Sequence, residues 1–263
     1  MTTEKKEDTA LIGSVCRALD IIQYMAHRQE EVSVSEIAKA LGMYRSMVFR
    51  MLYTLRYKGF VEQNPDNEKY RLGIKLLVLG HSLDRRSHFI KFIRPFAQKA
   101  SQAFHETVNV SILDHRTDLQ GYCGLIIHQE SSQRGINANT RIGSLRECYC
   151  SAVGKCLLAF SDAVDLNYYM QHPLKKCAKN TITDSQALIE EIERVRHNGY
   201  AIDDEEGDDD LFCIGVPILA DGTAIGAISI SGPIQRMKNE DLPRKIQFMT
   251  DLRREISDKL SMK

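Results

Sequence analysis

The chain lacks any apolar run close to the roughly 18 residues that a membrane-crossing helix needs. Its 263 residues are therefore read as those of a soluble protein. Met1 to Thr9 carry charge and no apolar core of a signal peptide, so a cytoplasmic location is expected. No CxxC spacing occurs among the seven cysteines. The closest pair, Cys148 and Cys150, sits one residue apart, which suits structural zinc poorly. His105 and His128 have no neighbour at metal-ligand spacing, and no metal or other cofactor is expected. Net charge is missing as well, because 35 basic residues balance 35 acidic ones. Bulk charge therefore names no partner.

The informative absence is local. No Asp or Glu occurs between Glu36 and Glu62, whereas Lys39, Arg45, Arg50, Arg56 and Lys58 fall inside that interval. A stretch with charge of one sign suits the backbone of a nucleic acid. The surrounding pattern gives it a scaffold. Ser14 is placed to cap a first helix whose Val15, Ala18, Leu19, Ile22 and Met25 recur at helical spacing. Ser33-Val34-Ser35-Glu36 is a capping box opening a short helix through Ile37, Ala38 and Leu41, which Gly42 stops. A third helix starts near Tyr44 or Arg45, with Val48, Leu52 and Leu55 as its apolar stripe and Gly59 at its end. Phe60-Val61 and Tyr70-Arg71-Leu72 flank the turn Asn64-Pro65-Asp66-Asn67 as a β-hairpin. This layout is a winged helix-turn-helix. Arg45, Ser46, Phe49 and Arg50 project away from the apolar stripe, and arginine and serine there reach phosphates or base edges.

Ile74, Leu76, Leu77, Leu79 and Leu83 continue helically to Arg86. An exposed apolar helix of this kind is expected to pack on a partner, joining the domains and forming a dimer suited to paired DNA half-sites. From His88 onward the pattern is mixed. Phe89, Ile93, Phe96 and Ala100 mark a helix. Strands are expected at Val108 to Leu113, Leu119 to Ile127 and Arg134 to Thr140. Thr183, with Gln186, would cap a helix through Ile189, Ile192 and Val195 that stops at Gly199. Phe212 to Leu219 and Ala224 to Ser231 are strands joined by the Asp221-Gly222 turn. Leu242, Ile246, Met249, Ile256 and Leu260 close the chain as an amphipathic helix. The fold class is α+β, a mostly antiparallel sheet flanked by helices. The expected division is a tail over 1–12, a DNA-binding domain over 13–73, a linker and dimerisation helix over 74–88, and an effector domain over 89–263.

Several segments carry a resemblance. They are Ser14-Val15 with Arg17-Ala18-Leu19-Asp20, Ser35-Glu36-Ile37-Ala38, Arg45 to Leu52, and Lys58-Gly59-Phe60-Val61. Further on come Gly199, Asp203, Glu206, Cys213-Ile214-Gly215, Pro217, and Ala227-Ile228-Ser229-Ile230-Ser231-Gly232-Pro233. With these the chain resembles the IclR family of bacterial transcription regulators from about Gly13 onward. The resemblance implies a GAF-like effector domain, a homodimer or tetramer, and repression or activation of catabolic or stress operons. Double-stranded DNA, with a palindromic operator, would meet Arg17, Arg45, Ser46, Met47, Phe49 and Arg50. A small organic acid would meet the backbone of Ala152 and Val153 and the side chains of Asp203, Cys213, Ser229 and Ser231.

Three departures stand out. Met47 and Phe49 replace the usual polar residues, Asp210 stands where the family has glycine (Gly207 lies nearby), and the segment Ile218 to Asp221 is one residue short.

The residues themselves support such a site. Ser151 can cap a helix at Ala152, whose free amides attract an anion. Ser229 and Ser231 share one strand face. Asp203 opens the acidic run to Asp210, read by default as a solvated loop. Lys155 reads as a surface residue. A redox role for Cys148, Cys150 or Cys213 is the competing regulator. An enzyme using Cys213 as nucleophile lacks a recognisable histidine base.

Overall fold

The computed structural model describes residues 11–26, 28, 30–86, 88–116, 121–134, 138 and 140–261. The expected tail therefore lies outside the described residues except for Leu11 and Ile12. The chain divides into two compact units at residues 87/88.

The first unit holds helices α1 (Gly13–Ala26), α2 (Val34–Ala40) and α3 (Arg45–Tyr57), the hairpin β1 (Val61–Gln63) and β2 (Tyr70–Leu72), and helix α4 (Ile74–Arg86). The capping box forms: Glu36 N–H donates to Ser33 Oγ (3.3 Å) and Ser33 N–H to Glu36 Oε2 (2.7 Å). Gly42 turns the chain at φ 63° before α3. The stripe Val48, Leu52 and Leu55 is buried with Ile21, Met25, Ile37, Val61 and Tyr70 in one small core. Two expectations for α1 fail. Ser14 is not its cap, because the helix already starts at Gly13 and the Ile12 carbonyl accepts from Val15 and Cys16 N–H. Its buried residues are Ile21 and Met25, with Ile22 partly buried beside them, while Val15 and Leu19 of the expected stripe are about half exposed because only the C-terminal half of the helix meets the core. On α4, Ile74, Leu77, Val78 and Leu79 are exposed.

The second unit opens with α5 (His88–Phe104). A six-stranded antiparallel sheet of order β5-β4-β3-β8-β7-β6 follows. Its strands are β3 (Thr107–Arg116), β4 (Gly121–Glu130), β5 (Leu145–Glu147), β6 (Ala201–Asp204), β7 (Leu211–Ala220) and β8 (Thr223–Pro233). The strand expected over 134–140 falls largely on residues outside those described, and Arg134, Ala138 and Thr140 belong to no strand. Asp221 and Gly222 both take positive φ (51° and 86°), the geometry of the expected tight hairpin turn.

Alternation along the strands builds two different faces. Val108, Val110, Phe212, Ile214, Val216, Ile228 and Ile230 face α5 and the terminal α10 (Leu242–Ser261), burying Ile93, Phe96, Met249, Leu252 and Ile256. The other face carries α6 (Ala152–Phe160) and α8 (Ser185–Asn198), with the short α7 (Leu166–Tyr169) between them in sequence. Val153, Leu157, Leu188 and Ile192 pack there with Ala201 and Ala227. α9 (Ile234–Met237) follows β8. The cap of α8 is Asp184, not Thr183: Ala187 N–H donates to Asp184 Oδ1 (2.8 Å). Asp184, one residue on, takes the amide, and Gln186 turns instead to Glu190.

Candidate functional site

Helix α3 has no Asp or Glu and no side-chain cap. Arg45, Ser46, Phe49 and Arg50 are exposed and Met47 is half-buried. Neither Arg45 nor Arg50 has an ion-pair partner among the described residues, so both guanidinium groups keep their donors free for a polyanion. Arg17, on α1, lines one groove with Ser46, Met47, Phe49 and Arg50. Its Nε donates to the Gly13 carbonyl (2.9 Å), which fixes the side chain along its own helix. Arg45, at the head of α3, lies outside that groove lining. The unit thus offers arginines on two helices around a surface whose walls are Phe49, Tyr53 and the apolar flank of α1.

In the second unit, a cavity of about 140 Å³ opens between the sheet and the start of α6. All six residues expected to meet an effector line it: Ala152, Val153, Asp203, Cys213, Ser229 and Ser231. Strand register explains the convergence. Asp203, Cys213, Ser231 and Thr107 form one row across β6, β7, β8 and β3, and Gly215, Ser229, Asn109 and Gln129 form the next. Gly215 is required in its row, since a Cβ there would stand 2.8 Å from the Ala152 carbonyl carbon. Its absence lets α6 lie directly on the sheet. Ser151 caps α6 as expected, accepting from Gly154 N–H (3.2 Å) and donating to the Glu147 carbonyl (2.8 Å). The amides of Ala152 and Val153 head the helix, where no intrahelical acceptor exists, and they border the cavity. The site therefore offers amide, hydroxyl and thiol groups with a helix's positive end.

The acidic run is not the solvated loop expected. Asp203, Glu205 and Glu206 are buried, and only Asp208, Asp209 and Asp210 are exposed. Asp203 Oδ1 accepts from the amides of Glu206 (2.9 Å) and Gly207 (3.3 Å). Burial nevertheless raises its pKa, with these amides and Lys155 opposing. Lys155, read from sequence as a surface residue, is fully buried. Its Nζ donates to Glu206 (2.7 Å) and Glu191 (3.1 Å). The reason is that α6 is buried along nearly its whole length, so a cation on it persists only when paired. Burial lifts Glu206 to about 7 despite that partner. Asp210 takes φ 61°, the left-handed conformation glycine favours, at the position where the family resemblance has glycine. Its amide donates to Glu205 Oε1 (3.0 Å). The turn survives the change because Asp tolerates this region better than most side chains.

Sequence reading missed Asn109, Thr140, Arg146 and Cys177, which also line the cavity. Asn109 Oδ1 accepts from Gln129 Nε2 and Thr140 Oγ1 (both 2.9 Å). Arg146 pairs with Asp208 (2.8 Å). A signal for Asn109 was available. Thr107, Asn109 and Ser111 alternate with Val108 and Val110 on β3, so one face of that strand is polar yet buried. Cys150 and Cys177 lie 27 residues apart in sequence with their sulfurs at 3.8 Å, a proximity no local pattern announces.

Comparison with known proteins agrees across the chain. Residues 14–65 match the IclR helix-turn-helix domain, and residues 81–258 match the family described as bacterial transcriptional regulator IclR C-terminal. The HTH-type transcriptional regulator KdgR of Escherichia coli is 29% identical over 256 residues, 97% of this chain and 94% of that protein. BhcR of Paracoccus denitrificans is 31% identical over 95% of this chain and 88% of its own length. The crystal structure of Thermotoga maritima IclR aligns at TM-score 0.75 and 30% identity, covering 94% of this chain and 98% of that one. An IclR homolog from Microbacterium hydrocarbonoxydans, complexed with 4-hydroxybenzoate, shares the fold at TM-score 0.79 and 20% identity, with 95% and 100% coverage.

Proposed function

This chain belongs to the IclR family of DNA-binding transcription regulators, and we propose that a small organic acid held in the cavity beside α6 controls its hold on DNA. The observation that carries this reading is the lining: Ala152 and Val153, at a helix start, share one cavity with Ser229, Ser231 and Asn109. Helix-start amides and hydroxyls suit a carboxylate. Asp203, its pKa raised by burial, suits a hydroxyl or the proton of an acid. The 4-hydroxybenzoate complex of a structural neighbour supports a carboxylate ligand by analogy of fold.

In this reading residues 13–73 bind an operator. Arg45, Ser46 and Arg50 meet it from α3, with Met47 and Phe49 making apolar contact and Arg17 adding a cation from α1. Residues 74–88 join the domains and, through the exposed Ile74, Leu77, Val78 and Leu79, pair two chains, the dimer being the unit that reads a two-fold operator and a tetramer its doubling. Residues 89–263 hold the effector. Ligand and DNA would communicate because each favours one arrangement of the subunits. The Cys213 enzyme is set aside: the relatives above are regulators, and no histidine lines the cavity among the described residues.

The test is a thermal-shift screen of glyoxylate, pyruvate, sugar acids and 4-hydroxybenzoate, since a ligand of the folded state raises its melting temperature. A binding acid should shift Ser229→Ala far less than the wild type and should change the gel-shift of operator DNA. Equal shifts in the two proteins would place the ligand elsewhere.

A further inference from the structure

Two thiols stand at the cavity wall and neither is needed to bind an acid. Cys150 is buried, and Cys177 is exposed. Their sulfurs are 3.8 Å apart, and both residues line the cavity. Closing from there to a bond of about 2.05 Å asks for less than 2 Å of travel. The backbone on each side is already held. Tyr149 Oη donates to the Lys175 carbonyl (2.8 Å) and lies 3.4 Å from Cys177 Sγ. Thr181 Oγ1 accepts from the amides of Cys177 (3.0 Å) and Ala178 (2.8 Å) and is anchored to the Glu206 carbonyl (2.6 Å). The segment bearing Cys177 is thus tied both to the turn bearing Cys150 and to the loop behind Asp203. Cys148, two residues before Cys150, is fully buried in the core of that face.

We infer that Cys150 and Cys177 form a peroxide-reactive dithiol, a modification site in which the exposed sulfur is oxidised first and the buried one resolves it. Chemistry and access assign the order. Reaction starts from a thiolate that an oxidant can reach. Cys177 is the exposed member of the pair, whereas burial pushes the Cys150 thiol far up and shields it. The Cys177 thiolate attacks a hydroperoxide, forming an S–O bond as the O–O bond breaks, and the leaving oxygen takes a proton to become an alcohol or water. Cys150 sulfur then attacks the sulfenic sulfur. The S–S bond forms, the S–O bond breaks, and the departing hydroxide leaves as water with the Cys150 proton. Two thiols and one hydroperoxide give one disulfide, one alcohol or water, and one water. The oxidised pair draws the cavity wall together, and a small-molecule thiol reverses it by exchange.

This holds whether or not the cavity takes an acid, because the readout is the covalent bond in protein without ligand. The reduced full-length chain is treated with one equivalent of hydrogen peroxide, blocked with N-ethylmaleimide and digested with trypsin. Cleavage after Arg146, Lys155, Lys176 and Lys179 isolates one peptide with Cys148 and Cys150 and another with Cys177. The expected product is those two peptides joined with the loss of two hydrogens. It should persist in Cys148→Ser, vanish in Cys177→Ser and disappear on treatment with dithiothreitol. Cys150→Ser should instead leave a sulfenic acid on Cys177 that dimedone traps at about one label per chain. Since Cys177 is exposed, Cys177→Ser keeps the test valid even if Cys150→Ser folds poorly. A Cys148–Cys150 link, or Cys177 oxidised with no link in the wild type, would overturn the assignment.

Discussion

Lys155 shows how a single side chain changes meaning once its surroundings are known. In sequence it sits in the first turn of a helix; in the structure it is an enclosed cation between Glu191 and Glu206. Removing it strands the buried Glu206 carboxylate, whereas Glu191 keeps Arg194, so Lys155→Met should destabilise the second unit by about 3 kcal/mol, measurable by denaturant unfolding. Glu206 gives a pH-dependent companion. Its folded pKa is raised from the ordinary 4.5 to about 7. Below pH 4.5 the carboxyl is protonated in both folded and unfolded chains. Between 4.5 and 7 the unfolded chain sheds the proton while the folded chain keeps it, so this group's contribution to stability falls as pH rises through that window. Melting temperatures across pH 5 to 8 should decline less steeply in Glu206→Gln than in the wild type; parallel curves would refute the assignment. Ser33 is a simpler case, because both halves of its capping box are formed. Ser33→Ala should cost the first unit about 1 kcal/mol, again read by unfolding.

At the scale of elements, α3 and α4 each expose what an isolated folded domain would hide or balance. On α3 the unpaired arginines are the proposed phosphate contacts. Replacing Arg45 and Arg50 together by alanine should weaken operator binding and reduce the slope of log affinity against log salt by about 2, close to one unit per lost phosphate contact. A gel-shift series over salt concentration reads both quantities. An unchanged slope would remove α3 from the interface. Elements were also the most legible level of the sequence. The capping box, Gly42, the stripe Val48-Leu52-Leu55 and the Asp221-Gly222 turn are local, and each appears where its pattern puts it. At the helix starts the reading slipped by one residue at α8 and by two at α1. At α8 the adjacent polar side chains Thr183 and Asp184 compete for the same helix-end amides, and the backbone path decides between them.

For the whole molecule, the apolar face of α4 is the feature most in need of a partner. Leu77 is 68% exposed in the single chain. Leu77→Asp should convert the proposed dimer to monomer in sedimentation analysis and weaken binding to a two-half-site operator far more than to a single half-site. A variant that stays dimeric would assign the interface to another surface.

Local chemistry by itself determined the helices, the hairpins, the cationic stretch and the polar strand face that holds Ser229 and Ser231. All of these follow from residues within a few positions of one another, where periodicity and capping act. Distance across the fold decided the rest. Only strand register sets Asn109 beside Ser229, only the close seat of α6 on Gly215 buries Lys155, and only the return of a loop 27 residues later brings Cys177 to Cys150. Contacts of that kind depend on packing between elements, and no spacing in the chain encodes them.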